Sequence, residues 1–135
     1  RLLEQAATLL PRDAVFVIKP HPNCPVNPAD YPGLSMTVTM EPLSTLLAKC
    51  DVAYSSGVTT AVVEAYCAGV SVISMIDPNK LNLSPLRGCP GAIVINSPKE
   101  LALALVSCRV AERKSFFSLD SNLPRWRKLL CGVVG

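Results

Sequence analysis

Charge is scarce in this chain: only 17% of its 135 residues are Asp, Glu, Lys or Arg, where about 25% is usual. The net charge of +3 is too small to argue for a nucleic-acid partner, and none is expected. Long apolar runs are also missing. The longest stretches without a charged residue, Val52–Val63 and Ala65–Ile76, are 12 residues each, and a membrane-spanning helix needs about 18 to 20. No basic segment followed by an apolar one opens the chain, so no signal peptide is read. Six cysteines are present, at 24, 50, 67, 89, 108 and 131, yet no two lie within four residues of each other. That excludes the CxxC spacing of zinc and redox sites, and no metal-ligand cluster is found. Cys50, Cys67 and Cys108 fall in apolar, helix-like stretches, where a cysteine behaves as a small hydrophobe. Reduced thiols and a cytoplasmic setting are therefore expected.

What is present is apolar and rich in proline. Half of the chain is hydrophobic and 12 residues are proline. The length suits one domain able to bury a core. The low charge fits elements buried on both faces, and a surface that partly belongs against something else. The start at Arg1, inside a helical pattern, reads as a piece of a longer protein.

The elements alternate. Leu2 to Leu10 carries a helical stripe, and Ala14 to Ile18 is a continuous β-branched run, read as a strand buried on both faces. Residues 20–33 hold five prolines and read as loop. A short strand ends near Met40, Glu41-Pro42 opens a helix to Lys49, and Asp51 to Tyr54 is a strand. Ser55-Ser56-Gly57 is a turn, and Thr59 to Ala68 a helix ended by Gly69. Val70 to Ile76 is a buried strand, 77–91 a second loop, and Ala92 to Ile95 a strand. Ser97 caps a helix with Pro98 at its first position and Glu100 at its third. A last helix, capped by Ser121 or Asn122, carries Arg125, Trp126, Arg127 and Lys128. Strands alternating with helices predict an α/β, Rossmann-like parallel sheet with helices on both faces. It spans 1–112, with 113–135 as a helical extension of the same domain.

In such sheets ligands bind outside the carboxyl ends of the strands. Lys19-Pro20-His21-Pro22 follows the first strand. Its two prolines stiffen the loop and remove amide donors, so the only histidine is presented beside a cation, which suits an anionic ligand. Glu41 follows the second strand, where a carboxylate can accept the hydroxyls of a ribose or simply favour a helix start. Ser55, Ser56, Gly57, Thr59 and Thr60 follow the third. Hydroxyls and a glycine at a helix N-terminus suit a phosphate, against the plainer reading of N-capping. No GK[ST] or GxGxxG fingerprint is present. Glu64, inside an apolar helix, needs a partner or contacts the ligand. The basic, aromatic last helix is a solvated face or lies on a membrane surface.

KPHP after the first strand, a glutamate after the second and SS at the next strand-to-helix turn together resemble the C-terminal, donor-binding domain of GT-B glycosyltransferases. The likeness is greatest to enzymes using CMP-activated ulosonic sugars, namely bacterial sialyltransferases and capsule-type Kdo transferases. Glu64-Ala-Tyr-Cys-Ala-Gly69 is similar to the glutamate-alanine…glycine segment of such domains, with Ser71 where a proline is usual. The resemblance implies one half of a GT-B fold that binds a CMP-sugar and needs no cofactor. It implies that His21, the expected catalytic residue, contacts the CMP phosphate and assists the leaving group. Lys19, Pro22, Ser55, Ser56, Gly57, Thr59 and Thr60 would line the donor phosphate, and Glu41 would hold the ribose. The partner implied is an N-terminal acceptor-binding domain carrying the general base. The setting implied is surface polysaccharide or lipopolysaccharide synthesis in the cytoplasm, at the inner face of the membrane if the last helix makes peripheral contact. Two other readings stay open: a CDP-alcohol-dependent polyol-phosphate transferase, and a non-catalytic nucleotide-binding or interaction module.

Overall fold

The computed structural model describes residues 1–57, 59–77, 79, 81–108 and 128–130. The elements run α1 (Leu2–Ala7), β1 (Phe16–Ile18), a 3-10 turn (Pro28–Asp30), β2 (Met36–Val38), α2 (Leu43–Leu47), β3 (Val52–Ser55), α3 (Thr60–Cys67), β4 (Ser71–Met75), β5 (Ala92–Ile95) and α4 (Pro98–Ser107). Among the described residues the named strands all pair in parallel: β1 with β2, and β3-β4-β5 with β4 at the centre. The chain is an α/β protein of Rossmann-like construction, with its ladders in a two-stranded and a three-stranded sheet.

Strand β4 shows why helices lie on both faces. Its side chains alternate between faces, and neighbouring Val72 and Ile73, both 0% exposed, enter different cores. Val72 joins Leu47, Val62, Ala65 and Tyr66, from α2 and α3. Ile73 joins Ala6, Leu101, Ala102 and Ala104, from α1 and α4. An apolar strand without a polar face can be stable only between two layers.

The helix ends follow local chemistry. The Thr59 hydroxyl accepts the Ala61 N–H at 2.9 Å and starts α3. Gly69, at φ 81°, ends it. The Gly69 N–H donates to the Tyr66 carbonyl and the Val70 N–H to the Ala65 carbonyl, a Schellman closure with buried Val70 as its apolar contact. Ser97 caps α4, and the Glu100 carboxylate accepts the Asn96 N–H at 2.9 Å.

The first strand departs from expectation. Only Phe16–Ile18 forms ladder, and Val15 and Val17 are 83% and 50% exposed. The reason is the connection that follows. Residues 19–35 hold one 3-10 turn and no α-helix, so no crossover helix covers the face bearing Val15 and Val17. Of the basic last helix, residues 128–130 are described and are helical and exposed, while Trp126 and the rest of the extension 113–135 lie outside the described residues. Among the described residues no helix is long and apolar enough to cross a membrane. The five described cysteines form no disulfide. Cys50, Cys89 and Cys108 pack against the cores, and burial raises the Cys50 thiol above its ordinary pKa. Cys67, by contrast, is exposed at the end of α3.

Glu4 ties α1 to the end of the proline-rich loop. Its carboxylate accepts the Gly33 N–H at 3.0 Å and the Arg1 guanidinium at 3.0 Å, while Arg1 lies 5.3 Å from the Tyr31 ring centroid. The Gly33 amide first, and Arg1 second, hold the Glu4 carboxyl below its ordinary value of 4.5. A carboxyl depressed in the folded state stabilises it above the unfolded value and loses that contribution as pH falls through the folded one. The tie should therefore be intact above pH 4.5 and released at more acid pH. The Gly33 amide proton shift, followed by NMR, should titrate in that acid window in the native chain. In Glu4→Gln that titration should be absent.

Candidate functional site

Parallel pairing puts the carboxyl ends of β1 and β2 at one edge, and those of β3, β4 and β5 at one edge of their own sheet. The residues singled out in the sequence follow those ends. Lys19 and His21 follow β1, Glu41 follows β2, and the serine turn follows β3.

His21 opens a tight turn. The Cys24 N–H donates to the His21 carbonyl at 2.9 Å, with Pro22 at the second position, where its fixed φ suits a β-turn. The Asn23 N–H donates to His21 Nδ1 at 3.2 Å. With Nδ1 accepting, the ring proton sits on Nε2. His21 is exposed, so Nε2–H is a donor offered to solvent on a stiff loop.

Glu41 is held by its backbone. Its N–H donates to Thr39 Oγ1 at 3.2 Å, and its carbonyl accepts from Lys19 Nζ at 2.8 Å. The Thr39 N–H donates to the Ile18 carbonyl at 3.0 Å, continuing the β1-β2 ladder. The first two motifs are thus joined directly by Lys19. The carboxylate of Glu41 is exposed.

The serine turn divides its hydroxyls between structure and solvent. Ser55, half-buried at the end of β3, donates to the Gly57 carbonyl at 3.0 Å and accepts the Gly57 N–H at 3.4 Å. Thr59 is occupied as the α3 cap. Ser56 and Thr60 are exposed, and their hydroxyls bond nothing among the described residues. A Cβ at Gly57 would meet nothing within 4 Å, so the turn leaves open room before α3. Beside it, burial raises the Tyr54 phenol above its ordinary pKa, which keeps it neutral. Thr59→Ala should cost about 1 kcal/mol of stability through the lost cap, read as a lower denaturation midpoint.

Glu64 lies exposed on α3, so burial does not demand a partner for it. Among the described residues no hydrogen bond joins Lys19, His21 or Glu41 to the 55–60 turn. No group of three or more His, Cys, Asp or Glu side chains among them could hold a metal ion. A shallow depression of about 320 Å³, lined by Val15, Phe16, Met36 and Thr37 among others, lies at the amino ends of β1 and β2, opposite the strand ends that carry these motifs. Sequence reading passed over Thr39 and Asn23. Both act through a side-chain or backbone bond to a residue two positions away, a pattern open to most Ser, Thr, Asn and His residues.

The chain matches no family model, no curated protein and no solved structure. The fold and the side chains at its strand ends are therefore the ground for any functional reading.

Proposed function

We propose that this chain is the donor-binding half of a glycosyltransferase that takes a CMP-linked sugar of the Kdo or sialic-acid type, in surface polysaccharide or lipopolysaccharide synthesis. One observation carries the reading. A histidine turn and a glutamate follow the carboxyl ends of β1 and β2 in the two-stranded parallel sheet, and a serine turn follows the carboxyl end of β3 in the three-stranded parallel sheet, whose central strand is covered by helices on both faces. That is the side of an open α/β sheet where nucleotides bind.

Each group has a role of its own. The Nε2–H of His21 donates to a phosphate oxygen. Ser56 and Thr60 offer hydroxyl donors, and the start of α3 adds the positive end of an eight-residue helix. Glu41 accepts the ribose hydroxyls. In the transfer step, a carboxylate of the acceptor-binding domain removes the proton of the acceptor hydroxyl, whose oxygen attacks the anomeric carbon. The bond from that carbon to the CMP oxygen breaks, and CMP leaves with the electron pair. Donors aimed at the phosphate stabilise the charge that grows there.

Titration of the chain with CMP, CDP and UDP, followed through the imidazole signals of His21, tests the reading. Saturable binding with CMP preferred is the expected result. Preference for CDP would favour a CDP-alcohol donor. A folded chain that binds no cytidine nucleotide at millimolar concentration overturns the proposal.

A further inference from the structure

Lys19 stands two residues before His21, and by charge alone it reads as a phosphate ligand. Its ammonium is engaged elsewhere. It donates to the carbonyl of Glu41, 22 residues away in sequence, at 2.8 Å. The other side of Glu41 is held as well, because its N–H donates to Thr39 Oγ1 at 3.2 Å and Thr39 itself is bonded to the Ile18 carbonyl at the end of β1. The two peptide planes flanking the Glu41 Cα are therefore both anchored. Peptide planes are rigid, so anchoring both fixes φ and ψ between them and with these the direction of the Cα–Cβ bond. Pro42, at φ −53°, narrows the choice further, since a residue before proline is confined to extended backbone. The Glu41 carboxylate, although exposed, thus starts from a fixed root.

We propose that Lys19 and Thr39 are positioning residues that fix the Glu41 backbone so that its carboxylate meets a ribose, and that Lys19 is not a phosphate ligand. The assignment rests on the donor-binding reading given above. It separates two parts of one ligand: the sugar end depends on Lys19 and Thr39, and the phosphate end on His21 and the serine turn.

The separation is measurable with ligand fragments. Affinities of the native chain, Lys19→Met and Thr39→Val are compared for CMP, cytidine and 2′,3′-dideoxycytidine. Lys19→Met should weaken CMP and cytidine by the same factor, about tenfold for one charge-assisted hydrogen bond, and should reduce the preference for cytidine over its dideoxy analogue. Thr39→Val, which leaves the Lys19 charge in place, should reproduce that signature. A loss of CMP affinity in Lys19→Met with cytidine unchanged makes Lys19 a phosphate ligand and overturns the assignment. Equal affinities in all three proteins overturn it too. The carbonyl carbon shift of Glu41 in the ligand-free chain gives a readout independent of nucleotide. It should move in Lys19→Met, and an unmoved signal overturns the positioning role by itself. If the native chain binds neither CMP nor cytidine while that shift does move, the donor reading has failed, and the ribose role of Glu41 falls with it.

Discussion

Ile73→Ala is expected to destabilise the domain by about 2–5 kcal/mol, a large share of the roughly 5–15 kcal/mol that holds a typical domain folded. Ile73 is 0% exposed at the centre of β4, in register with Tyr54 on β3 and Ile93 on β5. Its side chain belongs to the buried core that holds Ala6, Ile95, Leu101, Ala102 and Ala104. Truncation removes its branched carbons from that core and leaves a cavity there. Denaturant unfolding should show a lower midpoint with an unchanged slope. Val17→Ala removes branched carbon from another strand, but Val17 is 50% exposed, and its loss should cost well under half as much. Equal losses at the two sites would contradict the layering of the sheet.

The second large effect concerns the nucleotide. Removing one donor from a charged phosphate should weaken CMP binding by about tenfold or more. His21→Ala takes away the Nε2–H and the turn contact to Asn23. Ser56→Ala takes away a hydroxyl that bonds nothing else among the described residues, so it should leave stability unchanged while lowering affinity. Ser55→Ala should act differently, because its hydroxyl closes the turn on Gly57. It should lower stability and affinity together. Calorimetric titration beside thermal melts distinguishes the two patterns. If Ser56→Ala leaves CMP affinity intact, the serine turn is a helix start and nothing more.

Local signals in the sequence were reliable where the structure is local. Thr59 and Ser97 cap α3 and α4, and Gly69 closes α3. In each case the partners lie within five residues, so the chemistry of one short segment suffices. The helices begin near their expected starts, although α1 stops at Ala7 rather than Leu10. The placement of the motifs after strand ends was legible residue by residue, because turn residues after strands are readable from composition. Its internal bonds were not. The Lys19–Glu41 bond spans 22 residues and the Glu4–Gly33 bond 29, and no local pattern announces either.

Burial shows the same division. The runs Ala14 to Ile18 and Val70 to Ile76 look alike in composition. One became a half-exposed strand and the other the most buried. A strand is buried on two faces only when elements from elsewhere in the chain arrive on both, and the 19–35 connection supplies no helix to do so for β1. The sequence by itself determined the alternation of helix and strand, the caps, and the three motifs that follow strand ends. Those depend on neighbours a few residues away. The tertiary structure decided that β4 separates two cores, that the ladders divide into two sheets, and that Lys19 reaches the backbone of Glu41 rather than open solvent. These outcomes depend on which distant segments meet, and that is settled by packing.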